Sequence, residues 1–271
     1  QMKVNDAISK ARLMGVSVGR NVWPHIAKGL AHAIEYRYSQ RPNDPIDIIL
    51  AENIHNAASF VSSLLKPYLP KDFPFKTYIG LIETSIGKMV PIQDTTNLLE
   101  IKAEPYNELI VDKDGFKNPI PEVAPLHPVS PIGAYVDRKL FIHNLGHASA
   151  AYLGYLLDPT ITSIAQVAQN ETIATRVRLA MVQSSKVLLI LYPEVFTEEA
   201  LTEHIDDLLH RFKNKALGDT VFRVGRDLRR KLRYDDRLMG IIIEAEKRNI
   251  SWNYIGKSYL AALSFKATDS D

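Results

Sequence analysis

Two rhythms of apolar and polar positions alternate along the first third of the chain. "RLMGVSV" (12–18) and "IDIILAE" (46–52) are short and largely apolar, which predicts strands. "WPHIAKGLAHAIEYRYSQ" (23–40) and "HNAASFVSSLLKPYL" (55–69) space their apolar residues three and four apart, which predicts helices. The order β-α-β-α is that of a parallel sheet covered by helices. Three further strand-like runs follow, "FKTYIGLIE" (75–83), "LLEIKAE" (98–104) and "NELIVDKDGF" (107–116), the last turning at Lys113-Asp114-Gly115. A proline-rich connection, "NPIPEVAPLHPVSP" (118–131), separates these from a remainder that reads helical over 131–157, 160–168, 170–192, 197–213, 222–232, 235–248 and 251–265. The pattern predicts α/β plus all-α: a parallel-sheet domain with additional strands over 1–128 and a helical domain over 129–271. No internal repeat or low-complexity tract interrupts it.

Composition narrows this picture. Hydrophobic residues make up 46% of the 271, enough for a core, and 33 Lys and Arg against 31 Asp and Glu leave a net charge of only +2. Attraction to an anionic partner therefore has to come from a local cluster. Cysteine is absent, which removes disulfides, thiolate metal sites and cysteine nucleophiles, and fits a reducing compartment. The longest apolar runs, such as "KVLLILY" (186–192), fall far short of the ~20 residues that span a bilayer, and no secretory h-region is present. A cytoplasmic protein, monomer or homodimer, with no membrane partner is expected. The chain opens with Gln, which points to a fragment of a longer protein.

The helix predicted over "DRKLFIHNLGHASAAYLGY" (137–155) carries unusual polar groups. At about 100° per residue, Lys139, His143 and His147 fall within roughly an 80° arc and Asn144 widens it to roughly 140°, with Phe141, Ile142, Leu145, Ala148 and Tyr152 opposite. A solvated face would be filled with Glu, Lys, Arg and Gln, whereas two imidazoles, one amide and one amine suit the wall of a cleft. The i, i+4 histidines enclose Asn144, Leu145 and Gly146, so the H-E-x-x-H metal pattern is missing and no metal is expected.

Strand ends carry further candidates: Ser17 and Gly19 after the first, Glu52 and Asn53 after the second, with Asn53 also readable as a helix N-cap. "RVGRDLRRKLR" (223–233) holds six basic residues in eleven, and Arg223, Arg226, Arg230 and Arg233 would line one helix face. Such a row suits phosphate or a solvated face. It suits nucleic acid less, because the cluster is short and no aromatic residue interleaves it.

Lys139-x4-Asn144-x2-His147, preceded by "AEN" at a strand end and followed by "RVGRDLRRKL…DRL", resembles the long-chain polyol dehydrogenases that include the mannitol dehydrogenases, nearest to the branch acting on mannitol 1-phosphate. "WPHIAKGL", "ELIVDKDGFK" and "YVDRKLFIHNLGHASAAYLGYL" fall in the expected order, so the likeness covers most of the chain. It implies an NAD-dependent, metal-independent oxidoreductase that interconverts a hexitol phosphate and its ketose phosphate. Lys139 would be general acid/base, with Asn53, Asn144 and His147 completing the catalytic set. By the resemblance Arg223 and Lys231 would contact substrate; Arg226 and Lys88 are expected to join them by their charge, and Ser17, Gly19, Glu52 and Asn53, at the strand ends, to bind the cofactor.

The sequence departs from the family in two places. None of the thirteen glycines forms G-x-G-x-x-G, so the sheet domain is expected to be an incomplete Rossmann-like one that binds NAD poorly. Gly87 and Lys88 stand where the family has Asp-Arg, which shifts substrate recognition toward phosphate contacts. The alternatives are a non-catalytic truncated remnant, or a dehydrogenase for a non-phosphorylated polyol or sugar acid.

Overall fold

Strands β1 (Leu13–Val16), β2 (Ile46–Leu50) and β3 (Ile79–Ser85) lie side by side and parallel in the computed structural model, which describes residues 2–268 except 92, 94, 95 and 98. β4 (Leu109–Asp112) runs antiparallel to β3 and β5 (Leu126–Val129) parallel to β4, so spatial order follows chain order. Helices α1 (Met2–Lys10), α2 (Trp23–Gln40), α3 (Ala57–Leu65) and the single turn α4 (Phe75–Tyr78) accompany them. The apolar runs dictate this packing: Ile46, Ile48 and Leu50 are fully buried and share a core with Trp23, Ala27, Ala31 and Ile34 of α2 and Val61 and Leu65 of α3. Asp47, also buried, keeps its carboxylate satisfied by accepting bonds from the backbone N–H groups of Lys117 and Asn118 and from the Asn118 amide at 2.8 to 3.0 Å. The post-turn segment is thereby tied back to β2.

Beyond the sheet, α5 (Ile132–Arg138) passes into a π-helical turn (Lys139–Asn144) and then α6 (Leu145–Leu157). α7 (Ile164–Gln169), α8 (Glu171–Leu191), α9 (Glu198–Phe212), α10 (Val221–Gly225), α11 (Leu228–Lys231), α12 (Met239–Glu246) and α13 (Asn253–Leu263) follow. α6 and α8 approach closely: a Cβ on Gly146 would come within 2.6 Å of the Met181 Sδ. A side chain at 146 would therefore force Met181 to shift.

The chain divides into two compact units, residues 1–87 with 107–136, and 88–106 with 137–271. This differs from a single cut after residue 128, because the 88–106 excursion belongs with the helices. Glu104 holds it there: its carboxylate takes the Met89 N–H at 2.5 Å and the Arg211 guanidinium of α9 at 2.9 and 2.5 Å.

Other sequence expectations are corrected by local physics. Residues 99–104 form no strand, and Leu98 lies outside the described residues. The proline-rich connection contributes β5, which tolerates Pro128 because it is the last strand of the sheet order. α1 was not anticipated. The helices read over 137–155 and 222–232 are both interrupted, the first by the π turn and the second at Asp227, whose φ of 68° is left-handed.

Candidate functional site

In the sheet unit, the loop after β1 is fixed by one carboxylate. Glu52, buried just beyond β2, accepts bonds from the N–H groups of Val18 (2.8 Å) and Gly19 (3.0 Å) and from the Trp23 indole (2.9 Å). Gly19 turns with φ +80°, where a side chain would be strained. Ser17, Gly19 and Asn53 are exposed at the carboxyl ends of two adjacent parallel strands, the edge at which open α/β sheets hold ligands. Asn53 does not cap α3, whose N-cap position is taken by Asn56. Glu52 shapes this loop through those bonds.

In the helical unit, the π turn presents Lys139, His143 and Asn144 on its six residues, with His147 three residues further along α6. A π turn bonds i to i+5, so Lys139 leaves the α-helical phase that relates it to His147 in a regular helix. Burial, and secondarily the Arg237 cation, hold the Lys139 amine down at about 8. His143 is buried, its ring 6.3 Å from that of His147, and burial ahead of its cationic and imidazole neighbours keeps its pKa well below the ordinary value. The His147 ring stacks on Phe212 at 4.9 Å. Burial, then Arg237, Arg223 and Lys231, push its pKa down to about 3. Its Nε2 lies 3.3 Å from the Asp219 carboxylate, unaligned for a hydrogen bond, and because the imidazole is neutral near pH 7 this is no ion pair.

The basic segment does not form the expected row. Arg223 pairs with Asp219, Arg230 with Asp227 at 2.6 Å and Arg233 with Asp235 at 2.8 Å. Arg226 is exposed at the break between α10 and α11, over the Phe222 ring. Lys231, by contrast, is buried, donates to the Val224 carbonyl at 2.5 Å, and is brought to about 8 chiefly by burial, then by Arg237. Lys88 donates to the Tyr106 carbonyl at 2.7 Å.

Arg237 is the residue that sequence reasoning missed. It sits in the "DRL" already noted, pairs with Asp236 at 2.7 Å with only 11% of its side chain exposed, and acts electrostatically on Lys139, His147 and Lys231 alike. A cavity of about 360 Å³, lined among others by His147, Phe212, Met89 and Asp219, adjoins this group and falls within the range of small-molecule sites. Lys139 is not among its walls. No group of three or more His, Cys, Asp or Glu among the described residues is arranged to hold a metal ion. Nor is any helix among them long and apolar enough to cross a membrane.

Residues 1–124 match the mannitol dehydrogenase Rossmann domain and residues 131–270 the mannitol dehydrogenase C-terminal domain. The mannitol-1-phosphate 5-dehydrogenase of Enterococcus faecalis is 29% identical over 92% of this chain and 64% of its own length. That of Streptococcus mutans is 28% identical over 99% of this chain and 70% of its own. The chain thus spans about two thirds of the length of these relatives. Among solved structures, a substrate-free D-sorbitol dehydrogenase superposes with a TM-score of 0.77 at 12% identity, covering 97% of this chain and 62% of its own. Pseudomonas fluorescens mannitol 2-dehydrogenase, solved as a ternary complex with NAD and D-mannitol, gives 0.66 at 14% identity, with 96% and 61% covered.

Proposed function

The chain belongs to the mannitol dehydrogenase family, and from that premise we propose that it serves an NAD-dependent oxidation of a hexitol phosphate, with Lys139 as general acid/base. The observation that carries this reading is the amine itself: a lysine held at about 8 on a π turn beside two neutral histidines. Ser17, Gly19 and Asn53 fit the near end of a dinucleotide, with Glu52 shaping their loop, while the glycine-rich turn that cradles a pyrophosphate is absent from these 271 residues. The sheet unit is accordingly assigned to cofactor and the helical unit to substrate.

NAD supplies the hydride acceptor, and the protein supplies the proton chemistry. The neutral Lys139 amine takes the proton of the substrate hydroxyl as hydride departs, and its ammonium form returns a proton in ketone reduction. The Asn144 amide donates to the oxygen on which charge develops. Asn53 keeps a catalytic role on the resemblance alone. His147, neutral down to about pH 3, hydrogen-bonds a polyol hydroxyl without trading its own charge.

Arg223, Lys231 and Arg237 form the phosphate set, with Asp219 and Asp236 offsetting part of their charge. Phosphate recognition is supported by the relatives' substrate and by this surplus of cations around His147. A second reading, a free polyol, is favoured by the partners that Arg223, Lys231 and Arg237 already have in Asp219, the Val224 carbonyl and Asp236.

Calorimetric titration separates the two without needing turnover. Arg237→Ala is expected to weaken mannitol 1-phosphate binding by about ten- to a hundredfold, the value of a lost charge-assisted bond, while leaving mannitol nearly unchanged. Arg226→Ala, at an exposed position, is expected to change neither. Equal affinity of the unmodified chain for mannitol and its phosphate contradicts the phosphate assignment.

A further inference from the structure

Ser184 lies in the middle of α8, fully buried, and its hydroxyl does not turn back on its own helix as that of neighbouring Ser185 does toward the Val182 carbonyl. It crosses to the π turn and donates to the Phe141 carbonyl at 2.5 Å. Phe141 is the middle of that turn, and its ring is confined on another side, where a Cβ on Gly240 would come within 3.1 Å of it. Just beyond, Gly146 packs under Met181, which locks α6 against the same face of α8.

A π turn departs from the i→i+4 ladder of the helix around it, and here a side-chain hydroxyl from the adjoining helix bonds a carbonyl at its centre. We propose that Ser184 is a positioning residue for Lys139: through the Phe141 carbonyl it holds the π turn open and sets the angle at which Lys139 stands relative to His143 and His147. If the turn closes to regular α-helix, everything before it rotates by about one residue, about 100°, relative to α6. Lys139 then leaves the partly buried surroundings, under the charge of Arg237, that depress its amine.

This inference draws its functional meaning from the acid/base reading of Lys139, but its test reads the amine and not the reaction. The probe is competitive acetylation of the intact chain across pH, with Lys139 followed by peptide mass spectrometry. The unmodified chain is expected to show an inflection near 8. In Ser184→Ala the inflection should rise by about one pH unit or more, toward the ordinary lysine value near 10.4.

Ser258→Ala is the control, because Ser258 is equally buried in α13 yet bonds only its own helix, at the Tyr254 carbonyl. It should lose stability without moving the inflection. Should Ser184→Ala fail to fold, Ser184→Cys keeps the volume with a weaker donor and should raise the inflection by a smaller step. An inflection that stays put in the Ser184 variants, or moves equally in Ser258→Ala, overturns the assignment. Either outcome leaves the catalytic reading of Lys139 standing, since that reading is tested by turnover alone.

Discussion

Lys139→Ala is expected to lower turnover by about 10²-fold or more in a form of the protein that carries a glycine-rich cofactor loop, because positioned general acid/base groups contribute about 10² to 10⁴. A lysine near 10.4 is a poor base at neutral pH, since almost none of it is unprotonated. The fold brings this one to about 8 through burial, with Arg237 adding its repulsion, so an appreciable fraction is a free amine just above neutrality. Substrate affinity should change far less than turnover, since the phosphate contacts fall to other residues. Steady-state kinetics on the variant checks this, and near-normal turnover removes Lys139 from the mechanism.

The second large effect concerns stability. Glu104→Ala is expected to cost about 3 to 5 kcal/mol, the usual consequence of stripping one partner from a buried ion pair. Both groups are more than nine-tenths buried, and the Glu104 carboxylate also satisfies the Met89 N–H, so its removal strands a guanidinium and a backbone donor together. Asp207, 3.2 Å from Arg211 but half exposed, offsets part of the loss and argues for the lower end. Tyr106, whose ring lies 4.3 Å beneath the guanidinium, keeps its face contact but supplies no negative charge. Urea unfolding measures the effect, and a midpoint shift worth less than about 1 kcal/mol would show that the 88–106 excursion is held by something else.

How far each feature could be read from the sequence depends on how local its cause is. α8 and α9 were legible because apolar spacing and the caps Asn170 and Thr197 lie within the segments themselves. The parallel β1-β2-β3 core was legible from alternating strand and helix patterns. The π turn was not, since 137–155 contains nothing that breaks an apolar period, and the hydroxyl that meets it comes from 43 residues away. The arginine row failed at Asp227, a residue that tolerates left-handed backbone but carries a helix-compatible charge pattern around it. Arg237 escaped notice because its reach depends on tertiary burial. Lys139, Asn144 and His147 entered the candidate set through their spacing and the family likeness. The lowering of both histidine pKa values came only from their surroundings.

The pH dependence of polyol oxidation tests the acid/base claim most directly, again with a cofactor loop present. The base must be neutral to act, so the rate of oxidation should rise with pH and level off above about 8, while ketone reduction, which uses the ammonium form, should fall over the same interval. Lys231 is also brought to about 8, and the variants tell the two apart: the limb should persist in Lys231→Met and vanish in Lys139→Ala. His147, at about 3, contributes no limb between pH 5 and 7. A profile that inflects near 6.5, or one whose limb near 8 survives in Lys139→Ala, would contradict the account.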